Sequence, residues 1–204
     1  MDRKIVLASK SPRRIELFEK YGIDAEIRPA SADETVPEDV TEPSEIVKLL
    51  AERKAKAVAS KCDEDTVVVG ADTLVFCDGK ILGKPHSTEE ARDMMRLLSG
   101  RSHSVISGLC VCDGKTTVTE SVETAVTFRD LSEEEIEAYI STSDPYDKAG
   151  GYGIQSMAGA FVSGINGDYY NVVGLPVERL LYILKHSFGC DFFARLCEKS
   201  RRTV

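Results

Sequence analysis

The order of apolar runs, turn dipeptides and helix caps predicts an α/β protein built on a mixed sheet. Three observations carry that reading. A strand-type apolar run at residues 4–8 passes through a serine turn directly into a proline-led helix. Two Asp-Gly pairs, Asp78-Gly79 and Asp113-Gly114, are hairpin turns and call for antiparallel neighbours. Two capping boxes, Ser87 with Glu90 and Ser132 with Glu135, start helices between those strands. Helical connections alternating with tight hairpins give a sheet of both directions.

Taken in order, residues 4–8 form a strand, 9–11 a turn, and Pro12 takes the first helical position with Ser11 as cap. That helix runs to about Lys20, where Gly22 stops it. Residues 25–28 read as a second strand, and the acidic stretch from Asp33 to Asp39, with Pro37 inside it, as a loop. A long helix at 44–61 follows, because Ile46, Val47, Leu50, Ala51, Ala57 and Val58 recur at helical spacing. Residues 66–69 and 74–76 are a strand pair or one bent strand. The helix opened at Ser87 ends at Ser99-Gly100, residues 105–112 and 116–128 make a long hairpin, and the helix opened at Ser132 runs through Ile140. A glycine-rich loop at 147–153 leads to strands at 160–162 and 169–173 around a turn at 165–168. Pro176 opens a last helix through Leu184.

With 204 residues, 42% of them hydrophobic, the chain buries a sizeable core as one large domain or two closely packed lobes. The longest apolar stretches, 67–69 and 74–76, are strand-sized, and the N-terminus shows no signal-peptide apolar region. A soluble, cytoplasmic protein with no membrane partner is expected. The six cysteines include no C-x-x-C pair, so free thiols in a reducing compartment fit better than a zinc site. A net charge of −8 argues against a nucleic-acid surface, so basic residues that matter act locally. There is no internal repeat, and residues 195–204 read as a short polar tail.

Arg13 and Arg14 occupy a first helical turn, whose partial positive charge favours acids and costs each arginine about 0.3–1 kcal/mol unless an anion is present. A phosphate would relieve that cost, since free backbone N–H groups, the Ser9 and Ser11 hydroxyls and two guanidinium groups converge there. The alternative is that both arginines splay into solvent. Lys54 falls inside the apolar stripe of its helix, among Leu50, Ala51 and Val58, so its amine either snorkels to water or meets a partner. Asp72 interrupts the apolar run 67–76, where an ionised carboxylate needs a cation or donors. Metal ligation or catalysis would account for it, as would a strand end or bulge marked by Gly70. Glu34 and Asp33 either add oxygen ligands for Mg²⁺, which takes one or two carboxylates with phosphates and water, or form a solvated loop. Lys84, fixed between Gly83 and Pro85, joins Arg13, Arg14, Lys54 and Lys148 in a cationic set that suits several phosphates. The P-loop and dinucleotide fingerprints are absent, and no histidine forms a triad with Ser9 or Ser11.

Together, Leu7-Ala8-Ser9-x-Ser11-Pro12-Arg13-Arg14, Gly70-Ala71-Asp72-Thr73, Gly83-Lys84-Pro85, Leu98-Ser99-Gly100-Arg101-x-His103, Asp147-Lys148-Ala149-Gly150-Gly151-Tyr152-Gly153-Ile154-Gln155 and Asn171-Val172-Val173-Gly174-Leu175-Pro176 resemble the Maf family of nucleoside triphosphate pyrophosphatases. The resemblance spans nearly the whole chain. It implies an elongated α/β fold similar to that of inosine triphosphate pyrophosphatases. It further implies two lobes around a central cleft within one domain at 1–188, an extension at 189–204, and a homodimer. It implies release of pyrophosphate from a nucleoside triphosphate with Mg²⁺ or Mn²⁺, water attacking the α-phosphorus. Carried over by position, Ser9, Arg13, Arg14, Lys54, Lys84 and Gln155 bind substrate, Glu34 and Asp72 hold metal, and Asp72, Lys54, Lys84 and Arg13 serve catalysis; Lys148, from the cationic set, is expected to bind substrate with them. Residues 148–155 look like the branch acting on dTTP and UTP rather than the one preferring 7-methyl-GTP, with the Gln155 amide suited to a pyrimidine edge. Ser156 departs from the glycine this branch often has there. A non-catalytic nucleotide-binding regulator of cell division is the rival reading, and it would need the basic residues but neither Asp72 nor Glu34.

Overall fold

Ile5–Leu7 is buried throughout, as a strand with layers on both faces must be; it is β1. In the computed structural model, which describes residues 3–193, 196 and 197, α1 (Pro12–Lys20), β2 (Glu26–Ile27), α2 (Pro43–Ala59), β3 (Val67–Cys77) and β4 (Lys80–Leu82) follow. After them come α3 (Thr88–Leu98), β5 (Ser102–Cys112), β6 (Thr117–Phe128), α4 (Glu133–Ile140), β7 (Val162–Asn166), α5 (Tyr169–Val173) and α6 (Val177–Phe188). Three 3₁₀ turns, Asp144–Asp147, Ala149–Gly151 and Met157–Phe161, link α4 to β7. One sheet runs in the order β2-β1-β3-β5-β6-β7, with β4 added beside β3. β1 is parallel to β2 and β3, and the remaining pairs are antiparallel, so the mixed sheet expected from the sequence is the one formed.

Alternate residues of the central strands face opposite layers. Leu7, Val67, Val69, Leu109 and Val111 pack with Leu17 and Phe18 of α1 and with Leu180 and Ile183 of α6. Val6, Val68 and Cys110 meet Ala51, Ala55 and Val58 of α2. Farther along, Val75, Val105, Val126 and Phe128 pack with Met95 and Leu98 of α3 and Ile136 and Ile140 of α4. Two strand glycines let α2 lie close to the sheet. A Cβ on Gly70 would stand 2.4 Å from the Ala51 carbonyl oxygen, and one on Gly108 would stand 2.1 Å from that of Val47. Along one edge of β3, β1 pairs with residues 67–69 and β4 with 75–77, so residues 70–74 have a strand neighbour, β5, on one side alone. A cleft lined by Asp72 and Thr73 opens at that gap.

Several local expectations are corrected. Val67–Cys77 is one continuous strand, so Asp72, opposite Gly108, is at neither a strand end nor a bulge. Residues 169–173 are a helical turn instead of a strand: the Asp168 carboxylate accepts the Tyr170 N–H at 2.7 Å, and Gly174 at φ 116° ends the turn. The neighbouring strand runs 162–166, and residues 157–161 coil in a 3₁₀ turn. Ser11 does not cap α1 through its side chain; its N–H donates to Ser9 Oγ at 3.2 Å. The long helix starts at Pro43, which fills the first helical position. Cys190 and Phe192 are buried with the α1–α6 layer, so packing continues past 188. Of the expected polar tail, 195 and 198–204 lie outside the described residues. All six cysteines are free thiols. No helix among the described residues is long and apolar enough to cross a membrane.

Candidate active site

The close approach of α2 to the sheet decides where Lys54 goes. Its side chain passes down the apolar stripe and meets Asp72, the ammonium standing 2.5 Å from Asp72 Oδ1 and 2.8 Å from Glu34 Oε1. Lys54 therefore has partners and does not snorkel to water. Both members of the Lys54–Asp72 pair are largely withdrawn from solvent, at 16% and 18% side-chain exposure. The hydrogen bond and charge of Lys54 hold the Glu34 carboxyl below its usual range. The acidic loop reaches this point because Arg53, one residue earlier on α2, donates to the Thr35 carbonyl at 2.5 Å. Asp33 turns back on its own loop, accepting the Thr35 N–H at 2.9 Å, and takes the loop role.

The two arginines of α1 do different work. Arg14 is built into the gap beside β3: it donates to the carbonyls of Gly174 and Ala71 at 2.8 Å each, to Ser9 Oγ at 3.3 Å and to Thr73 Oγ1 at 3.2 Å. The Ala71 carbonyl lies on the open stretch of β3, so a guanidinium N–H stands in for a missing strand partner. One Arg14 N–H is left for a ligand. Burial pulls the Arg14 guanidinium below its ordinary value, with Asp72 opposing. Ser9 is buried beneath this arrangement and helps fix Arg14. Arg13 instead crosses to the glycine-rich segment, donating to Asp147 Oδ2 at 2.9 Å. Lys148 bonds the other oxygen of Asp147 at 2.5 Å, and also Asp144 Oδ1 at 3.2 Å and the Asp144 carbonyl at 2.7 Å.

Arg13, Arg14, Lys54, Lys84 and Lys148 line one cleft with two carboxylates, Asp72 and Asp147, and with Gln155 on its wall. The cleft is open to solvent at its mouth, so a bound molecule can extend beyond it. Every site residue expected from the sequence is in or beside this cleft; Ser9 lies under it and Glu34 at its rim on Lys54. A local excess of cations in an acidic chain selects for polyanions.

A family model described as Maf-like protein matches residues 4–187. The chain belongs to the Maf family. A relative from Bacillus cereus, named dTTP/UTP pyrophosphatase, is 50% identical over 189 residues, covering 93% of this chain and 97% of its own length. One from Bacillus anthracis with the same name is 49% identical with the same coverage. Among solved structures, a Ham1 protein from Staphylococcus aureus aligns with a TM-score of 0.44 at 15% identity, over 63% of this chain and 73% of that one.

Within this Maf chain, sequence reasoning gave no role to Asp144, Asp147 or Arg53. Asp147 was visible only as the acid next to Lys148, and nothing local pairs it with Arg13, 134 positions earlier. The carboxylates suit a hard divalent cation. Asp72 and Glu34 present oxygens to one point, and the ion held there is the Lys54 ammonium. No group of three or more His, Cys, Asp or Glu side chains converges among the described residues. Mg²⁺ that keeps phosphate and water in its shell needs only one or two carboxylates.

Proposed function

We propose that this chain hydrolyses dTTP and UTP to the nucleoside monophosphate and pyrophosphate. The carrying observation is the cleft in which Asp72, bonded by Lys54, stands among five cationic side chains, Arg13, Arg14, Lys54, Lys84 and Lys148, of an acidic protein. The names and near-complete coverage of the Bacillus relatives support the reaction and the base. In this reading the triphosphate lies along Arg13, the remaining Arg14 N–H, Lys54 and Lys84, which neutralise charge developing on the phosphates. Asp72 Oδ2, which has no hydrogen bond among the described residues, orients the attacking water and takes its proton. Asp72 and Glu34 would hold Mg²⁺ or Mn²⁺, which when bound offsets phosphate charge and acidifies water. Gln155 reads the pyrimidine edge. We include in the proposal a homodimer, which rests on the family resemblance, and a cytoplasmic setting, in keeping with six free thiols.

The test is a panel of nucleoside triphosphates with Mg²⁺ and Mn²⁺, scored for monophosphate with pyrophosphate against diphosphate with orthophosphate. We expect dTTP and UTP to lead dATP, GTP and 7-methyl-GTP in kcat/KM. A purine preference would overturn the base assignment, and binding without turnover would favour a nucleotide-binding regulator.

A further inference from the structure

The segment that carries Gln155 has little regular backbone support. It passes through two glycines in the left-handed region, Gly150 at φ 69° and Gly151 at φ 70°, within one 3₁₀ turn, Ala149–Gly151. Its main-chain bonds are mostly local, from the Lys148 N–H to the Pro145 carbonyl at 3.4 Å, from Gly151 to Lys148 at 3.0 Å and from Ser156 to Gly153 at 3.1 Å; the Gly150 N–H alone, among the described residues, reaches outside, to the Gly83 carbonyl at 2.9 Å. Something else must define where Gln155 points, since its own amide makes no side-chain hydrogen bond among the described residues.

Asp144, which has no place in the chemistry described above, is bonded at both ends of that segment. Its Oδ2 accepts from Tyr139 at 2.8 Å and lies 2.6 Å from Ser156 Oγ; its Oδ1 accepts from Lys148 at 3.2 Å. Ser156 Oγ is also 2.8 Å from the Gly153 carbonyl, and Tyr139 Oη is 3.1 Å from that of Gly151. One carboxylate thus ties the start of the segment, at Lys148, to its end, at Ser156, and roots both on α4 through Tyr139. Burial alone would raise Asp144, but the bonds from Ser156, Tyr139 and Lys148 outweigh it and keep the carboxyl below its usual range, ionised as an acceptor. Burial first, then Asp144, raises the Tyr139 hydroxyl, which stays a donor. The three donors of Lys148 are all met by protein oxygens, so its ammonium works as a clamp inside the segment.

We infer that Asp144, through Ser156 and Lys148, is the positioning residue for base selection, holding the 148–156 segment so that Gln155 meets the nucleobase in one geometry. The inference rests on the dTTP and UTP reading of the same cleft. It divides the site into a phosphate half fixed by α1, α2 and β3, and a base half fixed by Asp144, the two meeting where Arg13 and Lys148 share the Asp147 carboxylate. Polar base recognition rejects a wrong base strongly only when its groups are held in place, so loosening the segment relaxes selectivity before it touches the chemistry.

The test compares wild type, Asp144→Asn and the milder Ser156→Ala, with kcat and KM for dTTP and dATP and inhibition by inorganic pyrophosphate as a base-free probe. We expect the dTTP-over-dATP ratio of kcat/KM to fall about tenfold in Asp144→Asn and about threefold in Ser156→Ala. The loss should appear in KM for dTTP, with kcat and pyrophosphate inhibition within about twofold of wild type. Asp144→Glu should recover part of the ratio. An unchanged ratio, or a ratio that falls only in step with kcat and pyrophosphate inhibition, overturns the inference. Hydrogen exchange of amides 149–156 in the free proteins separates this failure from failure of the functional reading. If wild type shows no preference for dTTP, the function is wrong, yet faster exchange in Asp144→Asn confined to this segment still upholds Asp144 as its anchor. Unchanged exchange overturns it.

Discussion

At the scale of single residues, the Lys54–Asp72 pair concentrates the consequences. An ion pair this far from water is costly to break by removing one partner, because the other charge is left behind in a poorly solvated place. Lys54→Met should therefore lower stability by about 1–3 kcal/mol, read as a shift in the urea midpoint, and abolish most turnover. A variant as stable as wild type would show that Asp72 finds water or another donor without help. Asp72→Asn keeps the shape and the contact with Lys54 while removing the charge. We expect kcat to fall on the order of 10²–10³-fold with the circular dichroism spectrum unchanged, and retention of most activity would remove Asp72 from the mechanism. These residues were legible in the sequence because each broke a local pattern, a lysine in an apolar stripe and an aspartate in an apolar strand. Their partners were not. Arg13 meets Asp147, and Arg14 meets Ala71 and Gly174, through contacts that only the folded chain creates.

At the scale of elements, the two strand glycines under α2 do more for the site than their lack of side chain suggests. Gly70→Ala would drive a methyl group into the Ala51 carbonyl and lift the helix that carries Lys54. We expect a loss of about 1–3 kcal/mol together with reduced kcat/KM, whereas Gly83→Ala, which meets nothing within 4 Å, should leave the urea midpoint nearly unchanged. Equal stability in both variants would mean that α2 has room to move. On β5, His103 packs against Phe128 and Tyr152, and burial lowers its imidazole from 6.5 to about 4. The unfolded chain then binds a proton that the native state refuses. Stability is full above about pH 6.5 and declines as pH falls toward 4, by about 3 kcal/mol at most. Urea midpoints between pH 7 and 4 should fall accordingly, with a flatter profile in His103→Gln; an equal slope in both would place the titration elsewhere. Strands and caps of this kind were readable because alternation, Asp-Gly turns and capping boxes act over a few residues. The turn at Tyr169–Val173 was misread as strand because its composition is aromatic and β-branched, and the Asp168 cap and left-handed Gly174 outweighed that preference.

At the scale of the whole molecule, the sheet itself makes the cleft. β1 and β4 share one edge of β3 and leave a stretch between them unpaired, Arg14 fills part of the gap, and α2 carries Lys54 to the same place. A chain of net charge −8 thereby gathers five cationic side chains in one cleft with two aspartates, Asp72 and Asp147. The central claim is that this constellation directs water to the α-phosphorus of a pyrimidine nucleoside triphosphate. Hydrolysis of dTTP in ¹⁸O-labelled water, with products resolved by mass spectrometry, tests it most directly. We expect one label in dTMP and none in the released pyrophosphate. Label in pyrophosphate, or dTDP with orthophosphate as the products, would contradict it.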